Sequence, residues 1–102
     1  MEYNAILYKS AGEKFVAEGV EINQLFVGNC GREAVNGLVR AIEDAYAEHK
    51  KDSRVELWGS HSPAYNSIVK RINFRNLPSR MVHFSDNSIL NGSILRVYEE
   101  IK

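Results

Sequence analysis

The chain has 102 residues, of which 44% are hydrophobic, and its thirteen basic and thirteen acidic residues give a formal net charge of zero. This length supports a single modest core, so residues 1–102 are predicted to form one domain, and the composition is typical of a soluble globular protein. No apolar run approaches the roughly 18 residues of a membrane span.

The N-terminus and the cysteine content argue against secretion. The first ten residues, MEYNAILYKS, lack a basic segment followed by a long apolar one, as a secretory signal would have. Cys30 is the only cysteine, whereas a small secreted scaffold usually carries two or more. A cytoplasmic location is therefore expected.

Three segments near the N-terminus are rich in β-forming residues. They are Tyr3–Lys9, Lys14–Ile22 and Leu25–Val27, and the first two are separated by the turn-forming SAGE. We predict a three-stranded antiparallel meander.

Two helices are predicted in the middle of the chain. The first runs from Arg32 to about His49, and an apolar residue recurs along it with helical spacing. Gly37 inside this helix costs about 1 kcal/mol relative to alanine, which indicates close packing against a strand. The second helix begins with Ser62 as N-cap and Pro63 at the first helical position.

Further strands are predicted on either side of the second helix, over Arg54–Trp58 and Met81–Phe84, with a loop over Asn73–Ser79. The tail allows two interpretations. Leu90, Ile94, Val97, Tyr98 and Ile101 have helical spacing, whereas Asn91-Gly92 is a hairpin signal. A helix from about Asn91 is favoured, because the same dipeptide occurs inside the first helix.

The order of elements predicts an α/β (α+β) fold, with the meander followed by α-β-α-β-α. Three similar cores, NGLVRAI, NSIVKRI and NGSILRV, each follow a strand and a polar turn. Such units usually form right-handed crossovers in a mixed sheet with parallel βα units. Their turns are then expected to meet at one edge of the sheet, where ligands of open α/β sheets bind. The turns contain Asn29, Cys30 and Gly31; Ser60, His61 and Ser62; and Ser85, Asp86 and Asn87.

The layout β-β-β-α-β-α-β-α resembles the ribonuclease H-like fold. The resemblance is carried by the hairpin NAILYKSAGEKFVAEGVE, the helix GREAVNGLVRAIEDA and the strand–helix unit VELWGSHSPAYNSI. It implies a cluster of carboxylates that holds two metal ions. Only Glu33 and Asp86 match positions of that cluster, and the first strand, Tyr3–Lys9, contains no acid. Two-metal catalysis needs several converging carboxylates, so nuclease activity is not expected.

The residue types suggest two other chemistries. Cys30, His61 and Asp86 on three successive turns have the types of a nucleophile, a base and an orienting acid, as in a hydrolase. His49, His61 and His83 are separated by 12 and 22 residues, which matches no compact metal-ligand pattern. No metal or other cofactor is therefore predicted, and the balance of the sequence favours a protein that is not an enzyme.

Uncompensated bases suggest an anionic ligand. Lys70, Arg71, Arg75 and Arg80 lie in a stretch without any acid between Glu56 and Asp86. The same segment, KRINFRNLPSR, interleaves Phe74 with bases, as single-strand binders do. In the competing interpretation, Phe74 enters the core and the arginines are simply solvated.

The leading hypothesis is a small binding module for an anionic ligand: a nucleotide, a nucleic-acid backbone or an acidic protein surface. The residues expected to contact this ligand are Asn29, Ser60, His61, Ser62, Lys70, Arg71 and Arg75. The alternative is a stand-alone inhibitor or antidote that occludes a partner protein. No membrane partner is expected, and an unpaired edge strand or an exposed Trp58 is compatible with a homodimer.

Overall fold

The computed structural model describes residues 1–54 and 61–100. Within them, the chain forms a five-stranded mixed sheet and two α-helices. The elements are β1 (Glu2–Lys9), β2 (Phe15–Gly19), β3 (Leu25–Gly28), α1 (Gly31–Lys51), α2 (Pro63–Arg71), a 3-10 turn (Phe74–Asn76), β4 (Ser79–His83) and β5 (Ile94–Glu100). Neither helix is long and apolar enough to cross a membrane.

The strand order is β3-β2-β1-β5-β4, so β1 lies in the middle of the sheet. It pairs antiparallel with β2 and parallel with β5, and the two outer pairings, β2 with β3 and β5 with β4, are antiparallel. In this register Ile6 lies beside Glu18 on β2 and beside Tyr98 on β5. These three side chains therefore share one face of the sheet.

The two faces of the sheet carry different helices. On one face, Ala5 and Leu7 form a core cluster with Val35, Leu38 and Ile42 of α1. On the other face, a smaller cluster joins the sheet to α2 and consists of Ile6, Tyr8, Val16, Tyr65 and Ile68. The sheet is therefore sandwiched between helices, and side chains alternate between the α1 face and the α2 face along each strand.

Helix α1 lies close to β3 at the glycine that the sequence analysis singled out. A Cβ atom at Gly37 would lie 2.1 Å from Cδ1 of Phe26, well inside van der Waals contact. The ring of Phe26 therefore takes the space that a side chain at position 37 would need. The predicted close packing against a strand is confirmed.

The elements predicted from neighbouring residues are confirmed. The three-stranded meander is present, and both central helices form where predicted. Ser62 caps α2 by accepting a hydrogen bond from the backbone N–H of Tyr65, with Pro63 at the first turn. The strand predicted over Arg54–Trp58 lies outside the described residues from position 55 onward.

The prediction for the tail is wrong. Ile94–Glu100 is strand β5, which lies between β1 and β4, and not a helix. Leu95 and Val97 are buried on the α1 face, while Tyr98 is buried on the α2 face. Burial of both faces in a central strand overrode the helical spacing.

The competing hairpin interpretation is correct for the pairing but not for the turn. Strands β4 and β5 are antiparallel neighbours, joined by the ten residues 84–93. Asn91-Gly92 lies inside this connection, and Gly92 takes a φ of 91°. The expected series of parallel βα units is therefore corrected, because β1 and β5 are the only parallel pair among the described strands.

Candidate functional site

A buried carboxylate links the sheet to α2. Glu18 of β2 is 0% exposed and points to the α2 face. Its Oε1 accepts hydrogen bonds from the hydroxyls of Tyr8 at 2.8 Å and Ser62 at 2.7 Å. Its Oε2 accepts from the backbone N–H of Ser62 at 3.1 Å and from Nδ1 of His61 at 2.9 Å. All four donors thus converge on one side chain.

The hydrogen bonds keep this carboxylate ionised despite its burial. Burial acts to raise the pKa of Glu18, but the bonds from Ser62, Tyr8 and His61 outweigh it, so the pKa is lowered below its ordinary value. Burial also raises the pKa of Tyr8 to about 12, and the neighbouring Glu18 acts in the same direction. Tyr8 therefore stays a neutral donor.

His61 is held by contacts on both ring nitrogens. Nδ1 faces Glu18, and Nε2 lies 3.1 Å from the carbonyl oxygen of Val20. Its ring stacks on Tyr65, with centroids 3.8 Å apart and an interplanar angle of 25°. Both oxygens are acceptors, so both contacts become hydrogen bonds only when each ring nitrogen carries a proton. The contact between Nδ1 and Oε2 of Glu18, at 2.9 Å, is also within ion-pair distance.

These contacts give the cluster of Tyr8, Glu18, His61 and Ser62, which we call the clasp, a structural role and not that of a catalytic proton relay. The Ser62 hydroxyl donates to Glu18 and accepts from Tyr65 N–H, while Nε2 of His61 faces a carbonyl. His61 is thus not placed to take a proton from Ser62. The N-terminus of α2 already binds a carboxylate, that of Glu18, in the position proposed for an external anion.

The three turns that were expected to meet do not converge. Cys30 follows β3, whose last residue, Gly28, lies beside Phe15 and hence at the same end of the sheet as Lys9. Asp86 follows β4, whose last residue, His83, lies at the end that holds Glu2. The two ends are seven residue steps apart along β1, or about 23 Å. The sheet therefore separates Cys30 from Asp86.

The side chains at these turns confirm the separation. Cys30 is exposed and Asp86 is exposed, whereas His61 is tied to Glu18 on the α2 face. The structure thus does not bring the thiol, the imidazole and the carboxylate together. Within the described residues, no group of three or more His, Cys, Asp or Glu side chains could hold a metal ion.

Two further turn residues, Asn29 and Ser60, were predicted to contact the ligand. Asn29 accepts a hydrogen bond from the ammonium of Lys14, and its backbone N–H donates to Glu33 Oε1 at 3.2 Å. Asn29 lies near the start of α1, away from the start of α2. Ser60 lies outside the described residues.

One of the predicted basic residues, Arg71, lines a groove that runs along α2. The groove has a volume of about 340 Å³ and is bounded by one side of α2, from its first turn to its last, and by the ends of β1 and β5. Its lining residues are Tyr8, Lys9, Ala64, Ser67, Ile68, Arg71 and Glu100. Arg71 forms an ion pair with Glu100 at 2.8 Å, which fixes the guanidinium at the rim.

The remaining bases differ in their surroundings. Arg80 pairs with Glu99 at 3.4 Å, whereas Lys70 and Arg75 form no ion pair with any residue that the structure describes. The guanidinium of Arg75 lies 5.1 Å from the centroid of the Phe74 ring. That ring in turn packs edge-on against Tyr98 at 5.3 Å.

Phe74 is therefore part of the core boundary. It is partly buried and packs against the α2-face cluster, as the competing interpretation of this segment expected. It does not offer an open stacking surface to a nucleobase. Charge, and not aromatic stacking, is what this end of the molecule presents to a ligand.

Sequence reasoning missed Glu18 and Tyr8, the centre of the clasp. The signal was an acid inside an apolar strand, KFVAEGVEI, where burial requires hydrogen-bond donors.

Comparisons of the chain with protein-family models, curated proteins and solved structures find no match, so the ribonuclease H-like resemblance stays a prediction.

Proposed function

We propose that this protein is a non-enzymatic binding module for a phosphate-bearing ligand, a nucleotide or a nucleic-acid backbone. The ligand binds at the groove along α2, which we call the basic groove. Arg71 at its rim, with Lys70 and Arg75 nearby in the chain, supplies the positive charge. Ser67 supplies a hydroxyl donor.

The observation that carries the proposal is the positive charge at and near the groove, which Lys9 and Arg71 line together with a single acid, Glu100. Residues 61–85 contain four bases and no acid. Glu99 and Glu100 each pair with one of these bases, Arg80 and Arg71. Lys70 and Arg75 remain without an ion pair among the described residues, so the local field favours an anion.

The shape of the groove supports a small phosphate group. Its volume of about 340 Å³ is at the lower end of the roughly 300–1,000 Å³ that is typical of ligand pockets. Ser67 and Arg71 are separated by four residues on α2 and therefore lie on the same side of the helix. A phosphate between them would accept hydrogen bonds from a hydroxyl and from a guanidinium.

The basic groove does not include His61 or Ser62, the ligand contacts predicted at the N-terminus of α2. His61 and Ser62 are engaged by Glu18, so they have structural roles. At the C-terminal end of a helix the backbone dipole does not favour an anion. Binding here therefore depends on side-chain charge, which makes it sensitive to salt and to charge substitutions.

The test is fluorescence anisotropy with a labelled single-stranded oligonucleotide and with a labelled nucleoside triphosphate. If three bases contact the oligonucleotide, the logarithm of its binding constant should fall with the logarithm of salt concentration with a slope of about −2. Lys70→Glu and Arg75→Glu should each weaken binding. Ser67→Glu should abolish binding, because its carboxylate repels a phosphate and can pair with Arg71 four residues later.

Lys50→Glu is the matched control, because it makes the same charge change at an exposed position near the end of α1. It should weaken binding much less than Lys70→Glu. If neither probe binds at low salt, the proposal is wrong. It is also wrong if Lys50→Glu and Lys70→Glu weaken binding equally, since that would indicate net charge rather than a site.

A further inference from the structure

Strand β3 has an exposed apolar edge. It is the terminal strand of the described sheet, and its Leu25, Phe26 and Val27 are 45%, 39% and 49% exposed. Edge strands are usually protected from pairing by lysine, proline or a bulge. The four residues of β3, LFVG, include no charge and no proline.

The hydrogen-bonding pattern shows which backbone groups of β3 face outward. The N–H of Gly19 donates to the carbonyl of Gln24 at 2.9 Å, and hydrogen-bonded pairs alternate along an antiparallel ladder. The next such pair is Ala17 with Phe26. The N–H and C=O groups of Leu25 and Val27 therefore point away from β2, toward the open edge.

We propose that β3 pairs with β3 of a second copy of this chain, antiparallel, about a two-fold axis at Phe26. In this register Leu25 of each copy lies opposite Val27 of the other. The outward groups of these residues then form four backbone hydrogen bonds, and Phe26 faces its own counterpart. The two sheets join into one continuous sheet, a closed isologous arrangement.

The charges next to this edge are complementary to themselves under the same axis. Pairing two antiparallel edges places both α1 helices on the same side of the joined sheet, and they run in opposite directions. Glu33 and Arg40 border a groove of about 250 Å³ together with Phe26, Asn36 and Gly37. Gly37 packs on Phe26, which lies on the axis, and Glu33 precedes Gly37 by four residues while Arg40 follows it by three, so Glu33 of each copy faces Arg40 of the other.

Arg40 is suited to this role. It is exposed, and it forms no ion pair with any residue in the described ranges. Glu33 is also exposed and uses Oε1 to accept from the N–H of Asn29, which holds the side chain in place. A second copy thus satisfies the backbone edge, the apolar side chains and the charges at once.

The first test measures the mass of the full chain by analytical ultracentrifugation over a range of concentrations. A rise from 11.6 kDa to twice that mass is expected. Val27→Pro removes one outward N–H and leaves the bonds between β2 and β3 intact, so it should keep the protein monomeric. Far-UV circular dichroism checks its fold, and Val27→Lys replaces it if the proline variant does not fold.

The second test addresses the register of the pairing. Glu33→Arg places like charges opposite each other and should weaken the dimer by about tenfold, since two exposed ion pairs contribute about 1.4 kcal/mol together. The swapped variant with Glu33→Arg and Arg40→Glu should restore the affinity.

A wild-type protein that stays monomeric at all concentrations overturns the proposal, even if it captures a different protein through this edge. A dimer that is unaffected by both Val27 substitutions also overturns it. These residues lie outside the basic groove, so the outcome does not depend on the proposed ligand.

Discussion

Replacing Glu18 with glutamine tests whether a buried carboxylate holds α2 against the sheet. The substitution keeps the size and shape of the side chain and removes its charge. In the native protein, Oε1 accepts from two hydroxyls, and Oε2 accepts from a backbone N–H and an imidazole N–H. Glutamine has one accepting oxygen and one donating nitrogen. Two of the four donors therefore face a nitrogen where the carboxylate offered a second oxygen.

The expected loss follows from which donors can adapt. The hydroxyls of Tyr8 and Ser62 can rotate to accept from the amide nitrogen, while the amide oxygen still accepts from the two N–H groups. What disappears is the charge on the acceptor, and charged hydrogen bonds contribute about 1.5–3 kcal/mol against about 1 kcal/mol for neutral ones. Because the native carboxylate also costs free energy to bury, we expect a net loss of about 2 kcal/mol. Glu18→Leu leaves the N–H donors without an acceptor and should cost about 4 kcal/mol.

Urea denaturation measures both losses as changes in the free energy of unfolding. The matched control is Glu48→Gln, which removes the same charge from an exposed position on α1 and should change stability by less than about 0.5 kcal/mol. If Glu18→Gln falls within that same range, the carboxylate does not stabilise the fold and the reasoning fails.

The pH dependence of the difference gives a second check. The pKa of Glu18 is lowered from 4.5 in the folded protein, so its contribution is complete above the unfolded value and is lost as pH falls through the folded value. The stability difference between wild type and Glu18→Gln should therefore shrink as the pH is lowered below about 4.5. A difference that grows with acidity would contradict the assignment of an ionised carboxylate.

Three further substitutions test single contacts of the fold. Tyr8→Phe removes a donor to Glu18 and should lower the free energy of unfolding by about 1–2 kcal/mol, and an unchanged urea midpoint would contradict this role. Gly37→Ala gains about 1 kcal/mol of helix propensity but collides with Phe26, so a net loss of about 1 kcal/mol is expected. A stabilised variant would show that the ring moves aside freely. Gly92→Ala forces a side chain into positive φ and should cost about 1 kcal/mol in thermal unfolding.

The parts of the fold that the sequence predicted correctly are those encoded by neighbouring residues. Ser62 and Pro63 specify the start of α2 within two positions, and the alternation along β1 and β2 specifies a hairpin. Strand β5 was missed because its identity depends on β1, about ninety positions earlier in the chain, against which it pairs in parallel. A short stretch of sequence can show helical spacing and strand alternation at once. Pairing with β1 decides in favour of a strand.

The prediction of the candidate site was wrong for a related reason. Predicting convergence at Cys30, His61 and Asp86 required every strand before a turn to run in the same direction. Strand β4 runs opposite to β5 and β1, so its turn lies at the other end of the sheet. Glu18 was missed because its donors, His61 and Ser62, are more than forty residues away in the chain.

The clasp and the basic groove lie along the same short helix and share Tyr8, but Arg71, the base that α2 contributes to the groove, belongs to the last turn of the helix. Glu18 accepts hydrogen bonds from His61 and Ser62, the two residues immediately before α2. Lys70 and Arg71 belong to the last turn of α2. Because Lys70 forms no ion pair among the described residues, the neutral substitution Lys70→Gln should lower ligand affinity while changing the free energy of unfolding by less than about 0.5 kcal/mol. Glu18→Gln should do the reverse at temperatures where the variant remains folded. If Glu18→Gln abolished binding while the protein stayed folded, the ligand would depend on Tyr8 and the clasp, and the site would extend to the N-terminus of α2.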